Sequence, residues 1–131
     1  MKDLIIDQFQ NSVEEVLIRH VSLLDIITKF SEASSKVNRA VAKSTTSCGC
    51  MKLTPCSNDL PEDATYDQLK DQAHTELNGE LCPVCREKIE SEIGNLMFYL
   101  AAMCNKADVN MYDVFLKEYD RIQTLGKYNL Y

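Results

Sequence analysis

Two closely spaced pairs of cysteines constrain this chain more than any other feature of its sequence. Cys48-Gly49-Cys50 and Cys82-Pro83-Val84-Cys85 are separated by residues 51–81. A CxxC turn directs two thiolates at one centre, and four thiolates complete the tetrahedral coordination found in structural zinc sites. The spacing therefore predicts a Zn²⁺ site formed by Cys48, Cys50, Cys82 and Cys85, which would tie the segment between the pairs to the start of a helix.

Other interpretations of the cysteines stay open. An iron–sulfur cluster also accepts four cysteines. A redox-active CxxC at a helix N-terminus is a further alternative, although nothing before Cys82 resembles the strand of a thioredoxin-like unit. Cys56 is an alternative ligand in place of Cys48 or Cys50, but it is more simply a free thiol in a loop. Cys104 is predicted to be a small core residue.

The scarcity of helix-breaking residues predicts an all-α fold. The chain has only 4 Gly and 3 Pro, and none of them precedes Gly49. Apolar residues recur there at helical spacing, among them Val13, Leu17, Leu24 and Ile27. We expect a long N-terminal helix from about residue 12 to 43, beginning with the capping box of residues 12–15. A break near residues 31–35 stays open. The length favours one helical-bundle domain spanning residues 1–131.

The remaining elements follow from local start and stop signals. Residues 44–81 are predicted to be a loop-rich insert, with one short helix starting at Thr65 and ending at Asn78-Gly79. A long helix should begin at Pro83 and run to about Lys106. A last helix is expected between Asn110 and Gly126.

Charge and hydropathy exclude several classes of partner. The formal net charge of −6 opposes binding to nucleic acid or to anionic membranes. No apolar run approaches the ~20 residues that span a bilayer, and the N-terminus lacks the apolar core of a signal peptide. We therefore expect a cytoplasmic protein whose reduced cysteines bind metal.

Two segments in the second half carry a family resemblance. Residues 92–103, Glu-Ile-Gly-Asn-Leu-Met-Phe-Tyr-Leu-Ala-Ala-Met, and residues 108–115, Asp-Val-Asn-Met-Tyr-Asp-Val-Phe, resemble the MazG-like all-α nucleoside triphosphate pyrophosphohydrolases. The resemblance implies a helical bundle that forms a homodimer. It also implies Mg²⁺-dependent cleavage of a nucleotide between its α- and β-phosphates, with Glu92 as a catalytic metal ligand.

The chain departs from the family's metal motif at identifiable positions. Asn95 stands where the motif has a second carboxylate after Glu92, so one anionic ligand is replaced by a neutral amide. The family's earlier Glu-x-x-Glu is not completed by Glu14, Glu15 or Glu32. Because Mg²⁺ needs several carboxylates, these departures favour loss of catalysis.

Three functions follow as hypotheses. The first is a zinc-binding, MazG-like protein that binds a nucleotide or regulates a partner with a degraded catalytic site. The second is an active Mg²⁺-dependent pyrophosphohydrolase, with carboxylates from Glu32, Glu92 and Asp113. The third is a zinc-stabilised adaptor that binds other proteins through an exposed apolar face of the long first helix.

Overall fold

Helices dominate the computed structural model, which describes residues 4–19, 21–53, 62–73 and 77–126. The α-helices are α1 Ile5–Val16, α2 Leu23–Lys43, α3 Tyr66–Ala73, α4 Pro83–Lys106 and α5 Met111–Leu125. A π-helical turn, Ser44–Cys48, continues α2, and the strands are β1 Met51–Leu53 and β2 Leu77–Gly79. The predicted all-α class is confirmed. None of the described helices has the length and apolar character needed to cross a membrane.

The chain divides into two compact units. The first unit comprises Met1–Val37 and Ser91–Tyr131, and the second comprises Asn38–Glu90. The expectation of a single domain stays a prediction.

The first unit is organised around a small apolar core. The buried residues that cluster in this core are Val13, Ile26, Ala101, Ala102 and Met111. The two alanines of α4 pack in this core with Val13 of α1 and Ile26 of α2. Cys104 is half-buried against this core, which confirms its predicted role as a small core residue.

The N-terminal region corrects the predicted helix from residue 12 to 43. It forms two helices, and the break lies between the end of α1 at Val16 and the start of α2 at Leu23 instead of near residues 31–35. Ser12 lies inside α1, so the predicted capping box is wrong. Ser22 starts the second helix instead, because its hydroxyl accepts a hydrogen bond from the Asp25 amide at 3.2 Å. The break lets both Val13 and Ile26 reach the same core.

The second unit contains a pair of short antiparallel strands that replaces part of the predicted loop; we call this pair the hairpin, although residues 54–76 separate its strands. β1 and β2 pair antiparallel, with Met51 opposite Gly79 and Leu53 opposite Leu77. Asn78-Gly79 therefore lies in a strand and does not end a helix. The short helix α3 ends earlier, at Ala73.

Other predicted helix ends are confirmed. The Thr65 amide donates to Gln68 Oε1 at 3.0 Å, and the Gln68 amide donates to Thr65 Oγ1 at 3.3 Å, which is a reciprocal capping box. α4 begins at Pro83 and ends at Lys106. Asn110 caps α5 through its side chain, and Gly126 ends that helix.

Candidate metal centre

The second unit brings the four predicted cysteines together. The Sγ atoms of Cys48, Cys50, Cys82 and Cys85 all lie within 4.8 Å of one another. The Cys48 and Cys82 sulfurs are 3.7 Å apart. Two sulfurs on one tetrahedral zinc at a Zn–S distance of about 2.3 Å stand roughly 3.8 Å apart. The cluster is therefore compatible with a single metal ion bound by four thiolates.

The first cysteine pair is presented by the turn that follows α2. Cys48 is the last residue of the π-helical turn, and Gly49 adopts a left-handed conformation with φ of 79°. The Gly49 amide donates to the Ser44 carbonyl at 3.0 Å, which closes the turn. This conformation favours glycine, so Gly49 allows the chain to reverse between two cysteines. Cys50 Sγ also contacts the Ser44 carbonyl, at 3.7 Å.

The second pair is presented by the N-terminus of α4. The Cys82 carbonyl accepts from the Arg86 amide at 2.9 Å, so Cys82 occupies the N-cap position and Pro83 the first helical position. The Cys85 amide donates to Cys82 Sγ at 3.4 Å. This backbone hydrogen bond is the main reason that the pKa of Cys82 is lowered to about 7. Cys82 is therefore predisposed to be a thiolate, the form that binds metal.

The other thiols hold their protons more tightly. The neighbouring Cys82 sulfur is the main cause that raises the pKa of Cys85 to about 12. The Cys50 amide lowers the pKa of Cys48, but the neighbouring Cys82 and Cys50 thiols raise it more. The pKa of Cys48 is therefore raised overall. Four sulfurs so close together ionise fully only when a cation balances their charge. Metal binding should therefore release protons from this cluster.

The cluster lies at the protein surface. Cys48 is exposed, whereas Cys50, Cys82 and Cys85 are half-buried. Solutes can therefore reach the cluster at the Cys48 sulfur. The alternative ligand Cys56 lies outside the described residues.

Gly79 is a supporting residue that the sequence analysis missed. A Cβ atom at this position would lie 2.6 Å from the Cys50 carbonyl oxygen. Its φ of 100° also favours glycine. β2 thus passes directly against the backbone of the first cysteine pair. The Asn-Gly dipeptide marked a special backbone conformation, but its strand partner was not evident from local sequence.

The first unit contains the predicted carboxylate Glu92, which is half-buried on α4. The ammonium group of Lys36 is paired with Glu32. Lys36 Nζ contacts Glu32 Oε1 at 3.0 Å, and Lys29 Nζ contacts Glu32 Oε2 at 3.4 Å. The pKa of Lys36 is raised, mainly by the hydrogen bond to Glu32, with a smaller contribution from the charge of Glu92. Lys36 therefore pairs with Glu32, and Glu92 affects its pKa only weakly.

The carboxylates proposed for hydrolysis do not form a joint cation site. Within the described part of the chain, Glu32, Glu92 and Asp113 are not grouped closely enough to hold one metal ion. Asp113 lies in the first turn of α5, where its amide donates to Asn110 Oδ1 at 2.9 Å. Asn95, beside Glu92 on α4, is exposed.

Comparisons with protein-family models, with curated proteins and with solved structures gave no match for this chain.

Proposed function

We propose that this chain is a zinc-binding helical protein in which Cys48, Cys50, Cys82 and Cys85 hold one structural Zn²⁺. The observation that carries the proposal is the approach of all four Sγ atoms to within 4.8 Å of one another. Sulfurs bound to different irons of a multinuclear cluster stand farther apart than sulfurs on one ion, so this spacing favours a mononuclear site. A reducing cytoplasm suits such a site because it keeps cysteines available as thiolates.

Zinc would act as a structural staple between two distant chain segments. One pair follows α2 and the other starts α4, so a shared ion holds both ends of the insert at one point. In sites of this kind the free energy of metal binding contributes directly to the free energy of folding. The metal would therefore set the stability of the second unit.

Metal analysis of the protein purified under reducing conditions tests this proposal. We expect one zinc per chain, and Cys82→Ser and Cys85→Ser variants should lose the metal and melt at a lower temperature. Cys104→Ser is the matched control, because Cys104 packs against the core of the first unit. Unchanged metal content and melting temperature in the Cys82 and Cys85 variants would refute the site.

For the first unit we propose a MazG-like binding or regulatory role without nucleotide cleavage. Support comes from the resemblance around Glu92 and from the position of Lys36. The Lys36 ammonium group pairs with Glu32 and so supplies charge that a divalent ion would otherwise bring to that carboxylate. Repulsion between like charges then opposes Mg²⁺ binding at the same place. A nucleotide is the partner that the resemblance implies.

A pyrophosphate-release screen separates this role from the alternative of an active hydrolase. Zinc-loaded protein would be incubated with common and modified nucleoside triphosphates in Mg²⁺ or Mn²⁺, beside a Glu92→Gln variant. We expect no release from either protein. Release by the wild type that disappears in Glu92→Gln would establish the hydrolase and refute the non-catalytic role.

We also propose that the first unit forms a homodimer through α4 and α5. A groove of about 360 Å³ is lined almost entirely by apolar side chains of these helices, namely Leu100, Met111, Val114, Phe115, Tyr119 and Ile122. Phe115 is 56% exposed and Tyr119 60% exposed, which is unusual for large aromatic residues facing water. A second copy covering this groove would remove apolar surface from water. A protein-binding adaptor would use the same groove for a different chain.

A further inference from the structure

The cysteine cluster places two thiols from different chain segments almost in contact. Cys48 Sγ and Cys82 Sγ are 3.7 Å apart, although 34 positions separate the residues in sequence. A disulfide requires the two sulfurs to approach to about 2.05 Å. Cys48 is the last residue of the π-helical turn and Cys82 is the N-cap of α4, so both residues lie at the ends of elements.

Two other pairings within the cluster compete with this one. Cys48 and Cys50 have one intervening residue, so a disulfide between them would close a small, strained ring. Cys82 and Cys85 form a CxxC pair at the start of α4, and a disulfide between them would leave the two chain segments unlinked, so disulfide mapping distinguishes it from a Cys48–Cys82 link. Cys48 is also the exposed member of the cluster and is the first sulfur that a dissolved oxidant would meet.

We propose that Cys48 and Cys82 form an oxidation site for hydroperoxides, and that its oxidation expels the metal. This inference rests on the proposed function insofar as metal is released. The disulfide would take the place of the metal link, because it joins the same two chain segments. Oxidation would thus replace the zinc link between the two chain segments by a disulfide.

The chemistry balances with a hydroperoxide as the oxidant. The Cys48 thiolate attacks one peroxide oxygen, the O–O bond breaks, and the departing alkoxide takes a proton to become an alcohol. The Cys82 thiolate then attacks the Cys48 sulfenic acid, the S–S bond forms, and hydroxide leaves and takes a second proton to become water. The two thiolates are oxidised and the hydroperoxide is reduced. A zinc ion left with only Cys50 and Cys85 has lost half of its proposed thiolate ligands.

Zinc release and disulfide mapping test the proposal on the full chain. The zinc-loaded protein would carry Cys56→Ser and Cys104→Ser, so that only the four cluster cysteines remain. On treatment with hydrogen peroxide, a chromogenic chelator would report the zinc and non-reducing peptide mass spectrometry would report the disulfide. We expect one zinc released per disulfide, a Cys48–Cys82 link, and recovery of zinc binding after dithiothreitol and fresh metal.

A ligand-preserving variant separates oxidation from simple loss of a ligand. Cys48→His keeps a zinc-binding side chain but removes the reacting sulfur, and we expect zinc release by peroxide to slow by about tenfold or more. Rapid release from this variant would overturn the proposal, as would a disulfide that maps to another pair. A reduced protein without zinc would refute the structural metal site. Disulfide mapping of that same protein would still decide whether Cys48 and Cys82 are the oxidation site.

Discussion

A single glutamine joins α1 to the turn between α4 and α5. Gln10 is 7% exposed, and its Nε2 donates to the Val109 carbonyl at 2.7 Å. Its Oε1 accepts from the Met111 amide at 2.9 Å, and its own carbonyl accepts from Asn105 Nδ2 at 3.0 Å. A buried polar side chain is stabilising when its hydrogen-bonding groups are satisfied, as these are. Gln10 thus fixes where α5 begins.

Replacing this residue by Met should destabilise the protein. Gln10→Met has a similar shape but leaves the buried Met111 amide without its acceptor, at a cost of about 1–3 kcal/mol. The free energy of unfolding, measured by urea titration, would report the change. Gln8→Met is the matched control, because Gln8 is exposed on the same helix. Equal stabilities of the two variants would contradict the role of Gln10.

A second prediction at the scale of single residues concerns Glu32 and the two lysines that contact it. Hydrogen bonds from Lys36 and then Lys29 lower the pKa of Glu32 below its ordinary value of 4.5. The associated stabilisation is therefore present above that value and is lost as pH falls through the lowered pKa. Because the pair is exposed, we expect only a small effect on stability.

Carboxylate NMR titration would measure this interaction directly. In Lys36→Met, the pKa of Glu32 should rise towards 4.5 but stay below it, because Lys29 remains. Lys43→Met, at the end of the same helix, should leave the titration of Glu32 unchanged. An unaltered pKa in Lys36→Met would show that the ammonium group does not balance this carboxylate.

Among the elements, those with local end signals were predictable from sequence. The Thr65 capping box, Pro83 at the start of α4 and Asn110 at the start of α5 all act within one helical turn. The break between α1 and α2 was missed because the apolar spacing continues through Leu17 and beyond. Local periodicity alone does not distinguish one long helix from two that share a core.

The β-hairpin was missed for a different reason. β1 and β2 have three residues each and are far apart in sequence, so their pairing depends on long-range closure of the chain. Cysteine spacing nevertheless predicted that the hairpin's two flanks would meet. The four clustered cysteines were thus identifiable in advance, whereas the strand that supports Cys50 was not.

Glycine substitutions test the hairpin's contact with the metal centre. Gly79→Ala should destabilise the protein by more than about 1 kcal/mol, since it combines an unfavourable φ with a clash against the Cys50 carbonyl. It should also weaken zinc binding in a chelator competition. Gly94→Ala should instead stabilise the protein by up to about 1 kcal/mol, because Gly94 lies within α4 with open space at its Cβ position. If both substitutions changed the free energy of unfolding in the same direction, the proposed contact of Gly79 would be contradicted.

At the scale of the whole molecule, the exposed groove between α4 and α5 predicts self-association. Phe115→Glu would place a charge within the groove and should shift a dimer towards monomer in sedimentation velocity. Ile18→Glu is the control, because Ile18 is 83% exposed and lies outside the groove. A wild-type protein that sediments as a monomer at high concentration would refute the dimer. A loss of association in both variants would indicate a non-specific apolar surface.

The paired ends of the hairpin make the insert a natural grafting position. Leu53 and Leu77 lie opposite each other, so the chain that leaves at one returns at the other. Doubling the length of a flexible loop adds only about 0.6 kcal/mol of closure entropy. A foreign epitope or fluorescent tag inserted between β1 and α3, so that α3 stays intact, should therefore leave zinc content unchanged, and loss of metal on insertion would show otherwise. The paired strands would then tolerate inserted sequences of different lengths.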